Sequence, residues 1–138
     1  MVGILIVTHG NLGLELLKSA ELIIGKQTNT YSLGIFHGDS IEEFNKEVMK
    51  YIKILDGGKG VLVFTDLYGG SPSNVIALSQ REIQSTKFEC VTGVNLPMIL
   101  EALTIRDSIE LSLLKEHCME IGHQGIKDLL YQINLTTE

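Results

Sequence analysis

The stretch that decides the fold is residues 3–10, GILIVTHG, near the amino end of the chain. Its four consecutive apolar residues, three of them β-branched, predict a parallel strand that is buried on both faces. The strand ends in a polar triplet centred on His9, and Asn11 is suited to cap a helix beginning near residue 12. Open α/β sheets bind their ligands at the carboxyl ends of such strands, so His9 is a candidate functional residue.

Further apolar runs alternate with helical patterns along the rest of the chain. Strands are predicted at about residues 30–36, 61–65 and 88–92, and helices at about 12–24, 41–55, 73–82 and 96–105. Such alternation requires right-handed crossovers, so we expect an α/β fold. The expected sheet is doubly wound, mostly parallel and four-stranded in the order 2-1-3-4, with helices on both faces. Residues 1–138 are expected to form a single domain.

The helices carry apolar stripes and terminal signals that predict how each one packs. Leu12, Leu16, Ala20 and Ile23 are expected on the core side of the first helix, and Ile41, Phe44, Val48, Ile52 and Leu55 on that of the second. Ser40 opens a capping box, while Ser71 with Pro72 is read as a cap and first helical position. Residues 108–130 are expected to be mainly helical, with breaks at Gly122 and Gly125. Residues 125–133 fit either a helix or an antiparallel edge strand at the carboxyl end.

Composition excludes several classes of protein. Hydrophobic residues make up 44% of the 138 residues, charged residues 20%, and the net charge is −6. The apolar runs are too short to cross a bilayer, no basic segment opens a signal peptide, and no basic stripe fits a nucleic acid. We therefore expect a cytoplasmic protein without membrane insertion. Cys90 and Cys118 form no CxxC pair and are read as reduced packing residues, while His117, Cys118 and His123 are poorly spaced for a metal.

The strand order makes His9 and Asp66 the pair predicted to touch, because their strands are neighbours at the switch point. A carboxylate bonded to one imidazole nitrogen fixes the tautomer and leaves the other nitrogen free as a nucleophile. Gly69, Gly70 and Ser71 follow Asp66 and open a helix, where backbone N–H groups can cradle a phosphate. His37 shares this edge but is expected one strand away from Asp66. Together these features predict a phosphohistidine intermediate that needs no metal or cofactor.

Three motifs together resemble a known family: VTHG at residues 7–10, GVLVFTDLYGGSPSN at residues 60–74, and GVNLPM at residues 93–98. They resemble the enzyme IIA component of the mannose-class bacterial phosphoenolpyruvate-dependent sugar phosphotransferase system, in order, spacing and chain length. The resemblance implies that His9 accepts a phosphoryl group from the carrier protein HPr and donates it to enzyme IIB during sugar uptake. It also implies a homodimer, in which a carboxyl-terminal strand can be exchanged between subunits.

The resemblance assigns roles residue by residue. His9 matches the phosphorylated histidine, Asp66 the aspartate that orients and polarises it, and Ser71 the serine of the phosphate-binding turn. Phosphate-site lining is also implied for Thr8, Gly10, Gly69, Gly70 and Asn95. The segment after Arg106 matches no motif, and because the sequence ends at Glu138 without a linker, enzyme IIB is expected as a separate chain.

Three other functions fit part of the same pattern. The phosphotransferase subunit of a dihydroxyacetone kinase would share the fold and the histidine, although the GGSP turn is more similar to the sugar-transport branch. Histidine phosphatases have Arg-His-Gly where this chain has Thr8, which cannot clamp a phosphate as a guanidinium does. A flavodoxin-type module would hold a nucleotide or flavin at the same edge without chemistry.

Overall fold

A computed structural model describes residues 1–136 of the chain. Helices and strands alternate along it, as the apolar runs predict, until the last two elements, which are both helices. The elements are β1 (Gly3–His9), α1 (Leu12–Ile24), β2 (Thr30–Ile35), α2 (Ile41–Leu55), β3 (Val61–Thr65), α3 (Ser71–Glu82), β4 (Phe88–Val91), α4 (Leu96–Ile105), α5 (Leu111–Gln124) and α6 (Leu129–Thr136).

The four strands form one parallel sheet in the order β2-β1-β3-β4, which confirms the predicted topology. In the register, Ile4 of β1 pairs with Thr30 on one side and with Leu62 on the other. Every residue of β1 before His9 is buried. The carboxyl ends of β1, β2 and β3 therefore meet at one edge, with β1 between the other two.

Each face of the sheet has its own apolar cluster. On one face Ile4, Ile6 and Phe64 pack with residues of α1, α4 and α5. On the other face Leu5 and Val63 pack with residues of α2 and α3. Full burial of an aliphatic side chain contributes about 1.5–3 kcal/mol, so both layers hold the central strand in place.

The start of α1 differs from the prediction. Asn11 occupies the cap position, but its side chain makes no capping hydrogen bond. Instead, the Gly13 N–H donates to Oγ1 of Thr8, at 2.9 Å. The predicted capping box at α2 is confirmed, since the Glu43 N–H donates to Oγ of Ser40 at 3.2 Å.

The predicted core stripe of α1 is wrong at two of its four positions. Leu12 and Ile23 are exposed, whereas Gly13 and Ala20 are buried. A Cβ added at Gly13 would lie 2.9 Å from Cγ2 of Ile6, so the missing side chain lets the helix approach β1 closely. This approach turns the face that holds Gly13 toward the sheet. In α2, Ile41 is likewise exposed, and the buried stripe begins at Phe44.

Helix α3 begins at Ser71, two residues before the predicted start. Gly70 is the cap residue, with φ +88, and no side-chain hydrogen bond caps the helix. The reading of Ser71 as the cap is therefore wrong, because Ser71 is itself the first helical residue and Pro72 the second. The hydroxyl of Ser73 donates to the Leu67 carbonyl and so ties the preceding loop to the first turn.

The carboxyl-terminal segment is helical. Helix α5 runs through Gly122 without the predicted break, because Gly122 is a packing residue: a Cβ there would lie 2.5 Å from Cε of Met98. Gly125 does end the helix, as predicted. Residues 129–136 form α6, so the alternative of an antiparallel edge strand is not realised within residues 1–136. None of the helices described there is long and apolar enough to cross a bilayer.

Candidate functional site

His9 is fixed in position by the end of the central strand. It is the last residue of β1, and the N–H of the next residue, Gly10, donates to the carbonyl of Ile35 at 2.8 Å. Gly10 has φ +57, a left-handed conformation that glycine adopts easily, and this turn leads the chain into α1. The imidazole therefore projects at the edge where β1 and β2 end together.

Asp66 binds His9 twice through one oxygen atom. Oδ2 of Asp66 accepts from the backbone N–H of His9 at 2.9 Å and lies 2.9 Å from Nδ1 of its ring. The other oxygen, Oδ1, accepts from the backbone N–H of Leu67 at 3.0 Å. With the carboxylate at Nδ1, the tautomer that donates to Asp66 leaves Nε2 with a free lone pair. The two side chains are 57 residues apart in sequence, and the structure brings them together as predicted.

The environment of Asp66 keeps it ionised. Burial raises the pKa of its carboxyl group, but the backbone N–H and ring of His9 favour the charged form more strongly, and the net pKa is lowered. Its side chain is 10% exposed, compared with 48% for that of His9. A shielded anion is thus placed behind an accessible imidazole, and it can stabilise positive charge that develops on the ring.

The amino end of α3 lies against the ring of His9. A Cβ added at Gly70 would lie 3.3 Å from Cε1 and 3.7 Å from Nε2 of His9. The first backbone N–H groups of a helix lack intrahelical partners, and the helix dipole adds partial positive charge there. The sequence thus places the donors of a 12-residue helix beside the free nitrogen.

An open cavity of about 540 Å³ lies in front of these groups, and both His9 and Ser71 line it. Gly10 contributes to the same wall, with residues of the loop that follows β2. The arrangement leaves Nε2 of His9, the Ser71 hydroxyl and the start of α3 within reach of an incoming group. A nucleophilic nitrogen near backbone donors is suited to hold a transferred phosphoryl group.

Three residues that the resemblance placed in the lining have other positions. Thr8 is fully buried, and its hydroxyl accepts the Gly13 N–H. Asn95 caps α4 by accepting the Met98 N–H at 3.1 Å, and its amide donates to the Gly122 carbonyl. Gly69 lines a separate groove between α3 and β4. We therefore assign Thr8 and Asn95 to helix capping.

The thiols and the carboxyl-terminal histidines form no second site. Burial raises the pKa of the Cys90 thiol to about 11 and that of Cys118 to about 12, so neither is a thiolate near neutral pH. Both cysteines are free. Within residues 1–136, no group of three or more His, Cys, Asp or Glu side chains is arranged to hold a metal ion.

Sequence reasoning set His37 aside because its strand is not next to that of Asp66. The structure places His37 in the wall of the cavity that His9 lines. The predicted strand order already indicated that His37 lies near His9, since β2 is the other neighbour of β1 and their carboxyl ends meet. The predicted separation of His37 from Asp66 by one strand is confirmed, but it does not keep His37 out of the cavity that His9 lines.

A family model matches most of the chain. The model described as EIIA-man, PTS system fructose IIA component, matches residues 3–119 and so covers His9, Asp66 and Ser71. The chain belongs to the EIIA-man family. This confirms the family resemblance of the three motifs to the mannose-class enzyme IIA component.

Relatives of this EIIA-man chain agree with that assignment. The mannose-specific EIIAB component of Escherichia coli is 36% identical over 133 residues, which are 93% of this chain and 39% of that protein. This chain thus spans well under half the length of that relative. The fructose-specific EIIA component of Bacillus subtilis is 28% identical over 127 residues, 92% of this chain and 86% of that protein. A crystal structure of the EIIA component from Streptococcus agalactiae has TM-score 0.86 and 32% identity, and the match covers 95% of this chain and 99% of that one.

Proposed function

We propose that the chain carries a phosphoryl group on Nε2 of His9 and transfers it from phospho-HPr to enzyme IIB. The observation that carries the proposal is the 2.9 Å contact between Nδ1 of His9 and Asp66, which leaves the other nitrogen, Nε2, free on a residue that lines the open cavity. Asp66 holds the ring in the tautomer with a lone pair on Nε2 and stabilises the charge of the phosphorylated ring. Ser71 and the amino end of α3 supply donors to the phosphoryl oxygens.

Transfer is a displacement at phosphorus between two imidazoles. The bond from phosphorus to the donor nitrogen breaks as the bond from Nε2 of His9 forms, and the departing imidazole keeps the electron pair. When enzyme IIB accepts the group, the bond from phosphorus to Nε2 of His9 breaks as the bond to the acceptor forms, and the imidazole of His9 keeps the electron pair. The step needs positioning and charge stabilisation and no redox partner, and the described residues offer both.

A labelling experiment tests the proposal directly. Purified chain is incubated with enzyme I, HPr and phosphoenolpyruvate carrying labelled phosphate, and then enzyme IIB is added. We expect an acid-labile, alkali-stable label that moves to enzyme IIB and is absent in His9→Ala. His117→Ala, a change at an exposed histidine of α5, is the matched control and should label normally. Undiminished labelling of His9→Ala would contradict the proposal.

We also propose that the chain is a homodimer. Helices α1 and α6 leave large apolar side chains in solvent: Leu22 is 88% exposed, and Leu129 and Leu130 are 67% and 70% exposed. Apolar surface of this kind is typical of an interaction site. Sedimentation velocity at micromolar concentration should give twice the mass of the 15.2 kDa chain, whereas a single species of that mass would contradict it.

A further inference from the structure

The cavity in front of His9 contains a second histidine that the proposed relay does not use. His9, His37 and Ser71 all line it, together with Asp39 and apolar residues of the loop and strand nearby. None of its lining residues is a lysine or an arginine. His37 is therefore the one lining side chain, apart from the nucleophile, that can carry positive charge and donate from nitrogen.

The loop that holds His37 is a fixed turn. The Asp39 N–H donates to the Phe36 carbonyl at 3.1 Å, and Oδ2 of Asp39 accepts from the Phe36 N–H at 2.8 Å. Gly38 has φ +89, which suits the third position of a tight turn. These contacts close the turn on both sides and place His37 at its corner, where the side chain is exposed.

The turn is joined to the nucleophile by the backbone. The Gly10 N–H donates to the Ile35 carbonyl, so the residue after His9 is bonded to the end of β2. Only one residue, Phe36, separates Ile35 from His37. The strand pairing that positions His9 thus also sets where His37 stands, without any contact between the two rings being needed.

The negative charges around the cavity favour a further hydrogen-bond donor to the phosphoryl group. The Asp66 carboxylate lies behind His9, and the Asp39 carboxylate is in the cavity wall. A phosphoryl group brings up to two more negative charges to this place. The Ser71 hydroxyl and the start of α3 supply only neutral donors. The imidazole of His37, in the loop after β2, lines the same cavity and can add an N–H donor to this set.

We propose that the imidazole of His37 donates a hydrogen bond to an oxygen of the phosphoryl group on Nε2 of His9 and so assists its transfer in both directions. The inference rests on the proposed function, because it needs His9 to carry the group. As phosphorus moves from the donor nitrogen to Nε2, His37 keeps its proton and forms no bond to phosphorus. It is a phosphoryl-binding residue, and it acts on the group rather than on the partner protein.

Single-turnover transfer tests this role. Labelled phospho-HPr is mixed with wild type, His37→Ala, His37→Gln and the control His117→Ala, and the rate is followed at several HPr concentrations by rapid quench. We expect His37→Ala to slow the maximal rate about tenfold, the scale for losing one hydrogen bond to a charged group. Half-saturation should stay within a factor of two. His37→Gln keeps an N–H donor and should recover part of the rate.

A spectroscopic measurement separates binding of the phosphoryl group from support of the fold. The ³¹P resonance of phosphorylated His9 should shift in His37→Ala and remain near the wild-type position in His117→Ala. Thermal unfolding monitors folding of each variant, and if His37→Ala does not fold, the rate and resonance of His37→Phe decide, because that change keeps a ring and removes the donor. A maximal rate within twofold of wild type together with an unchanged resonance would overturn the inference. A label located on His37 itself would also overturn it.

Failure of the inference and failure of the proposed function give different results. If wild type labels on His9 and His37→Ala behaves like wild type, only the role of His37 is lost. If wild type takes no label from phospho-HPr, or His9→Ala keeps it, the proposed function is wrong and the inference falls with it.

Discussion

Arg106 at the amino edge of the sheet is 3% exposed, whereas the His9 side chain at the carboxyl edge is 48% exposed. Both residues make polar contacts across long stretches of sequence. The guanidinium of Arg106 donates to carbonyl and side-chain oxygens of residues 27–30, including the Thr28 carbonyl at 2.6 Å. His9 is bonded to Asp66 through Nδ1 and leaves Nε2 available.

The difference shows what each edge does. At the amino edge, the guanidinium of Arg106 donates its hydrogen bonds to oxygens inside the protein, and these bonds hold the segment that leads into β2. Burial lowers the pKa of the Arg106 guanidinium and the charge of Asp107 raises it, while the surrounding oxygens accept its hydrogen bonds. At the carboxyl edge, the side chain of His9 is accessible to solvent and its Nε2 is available. The amino edge stabilises the fold and the carboxyl edge holds the proposed site, and four predictions test this division.

The largest effect is expected from Asp66→Asn. A neutral amide no longer selects the tautomer of His9 or stabilises the charged ring, so the rate of transfer from phospho-HPr should fall by about 10³-fold. Rapid-quench labelling measures that rate, with Glu82→Gln at the exposed end of α3 as a charge-matched control. A transfer rate within tenfold of wild type would show that the pair is not the reactive centre.

Arg106→Met should act on the other edge only. The change leaves several buried oxygens without a donor, and we expect the free energy of unfolding to fall by about 3 kcal/mol. Urea denaturation measures it, with Arg81→Met on an exposed part of α3 as the control. Below its melting temperature, Arg106→Met should still label on His9. Loss of labelling in folded Arg106→Met would contradict the division, because it would show that the amino edge also affects His9.

Gly70→Ala and Gly69→Ala form a matched pair that sharpens the description of the carboxyl edge. Both glycines have positive φ, +88 and +81, so both substitutions introduce backbone strain of about 1–3 kcal/mol. Only at Gly70 does the new Cβ face the His9 ring, at 3.3 Å. We expect about tenfold slower transfer in Gly70→Ala alone, since a displaced ring is costly. Equal transfer rates in the two variants would mean that the His9 ring tolerates the contact with the new Cβ.

The smallest effect is expected on acidification. The pKa of Asp66 is held below its ordinary value of 3.8, so the carboxylate stabilises the folded chain fully above that value. This contribution is lost as the pH falls through the lowered pKa. Urea denaturation from pH 6 to pH 3 should show the stability difference between wild type and Asp66→Asn shrinking toward the acid end. A difference that stays constant over this range would contradict the pKa direction.

The sequence could predict the sheet and the central pair because both follow from local patterns. Runs of β-branched residues such as 4–7 identify buried strands, and the alternation with helices restricts the strand order. Once that order is known, the residues after adjacent strands must meet, which is how His9 and Asp66 were predicted to touch. That inference needed no knowledge of side-chain packing.

The features that could not be predicted depend on packing between distant segments. Nothing near Arg106 in sequence indicates that it reaches residues 27–30, because a buried arginine leaves no periodic pattern. Gly122 looks like a helix breaker in sequence, and nothing in the sequence marks Gly13 as a packing residue, but each admits a close neighbour across a packed interface. The rotation of α1 and the continuity of α5 follow from these contacts, which only the folded chain contains.

The double contact of Asp66 Oδ2 with the main chain and the ring of His9 has a consequence for repeated use. Because the same oxygen atom of Asp66 contacts both the ring and the backbone N–H of His9, the rotamer of the imidazole is fixed when the chain folds. Ordering a free side chain costs up to about 1.5–2 kcal/mol, and here that entropy is lost once rather than at each encounter. In the proposed relay, the ring of His9 therefore needs no reorientation when a partner protein binds.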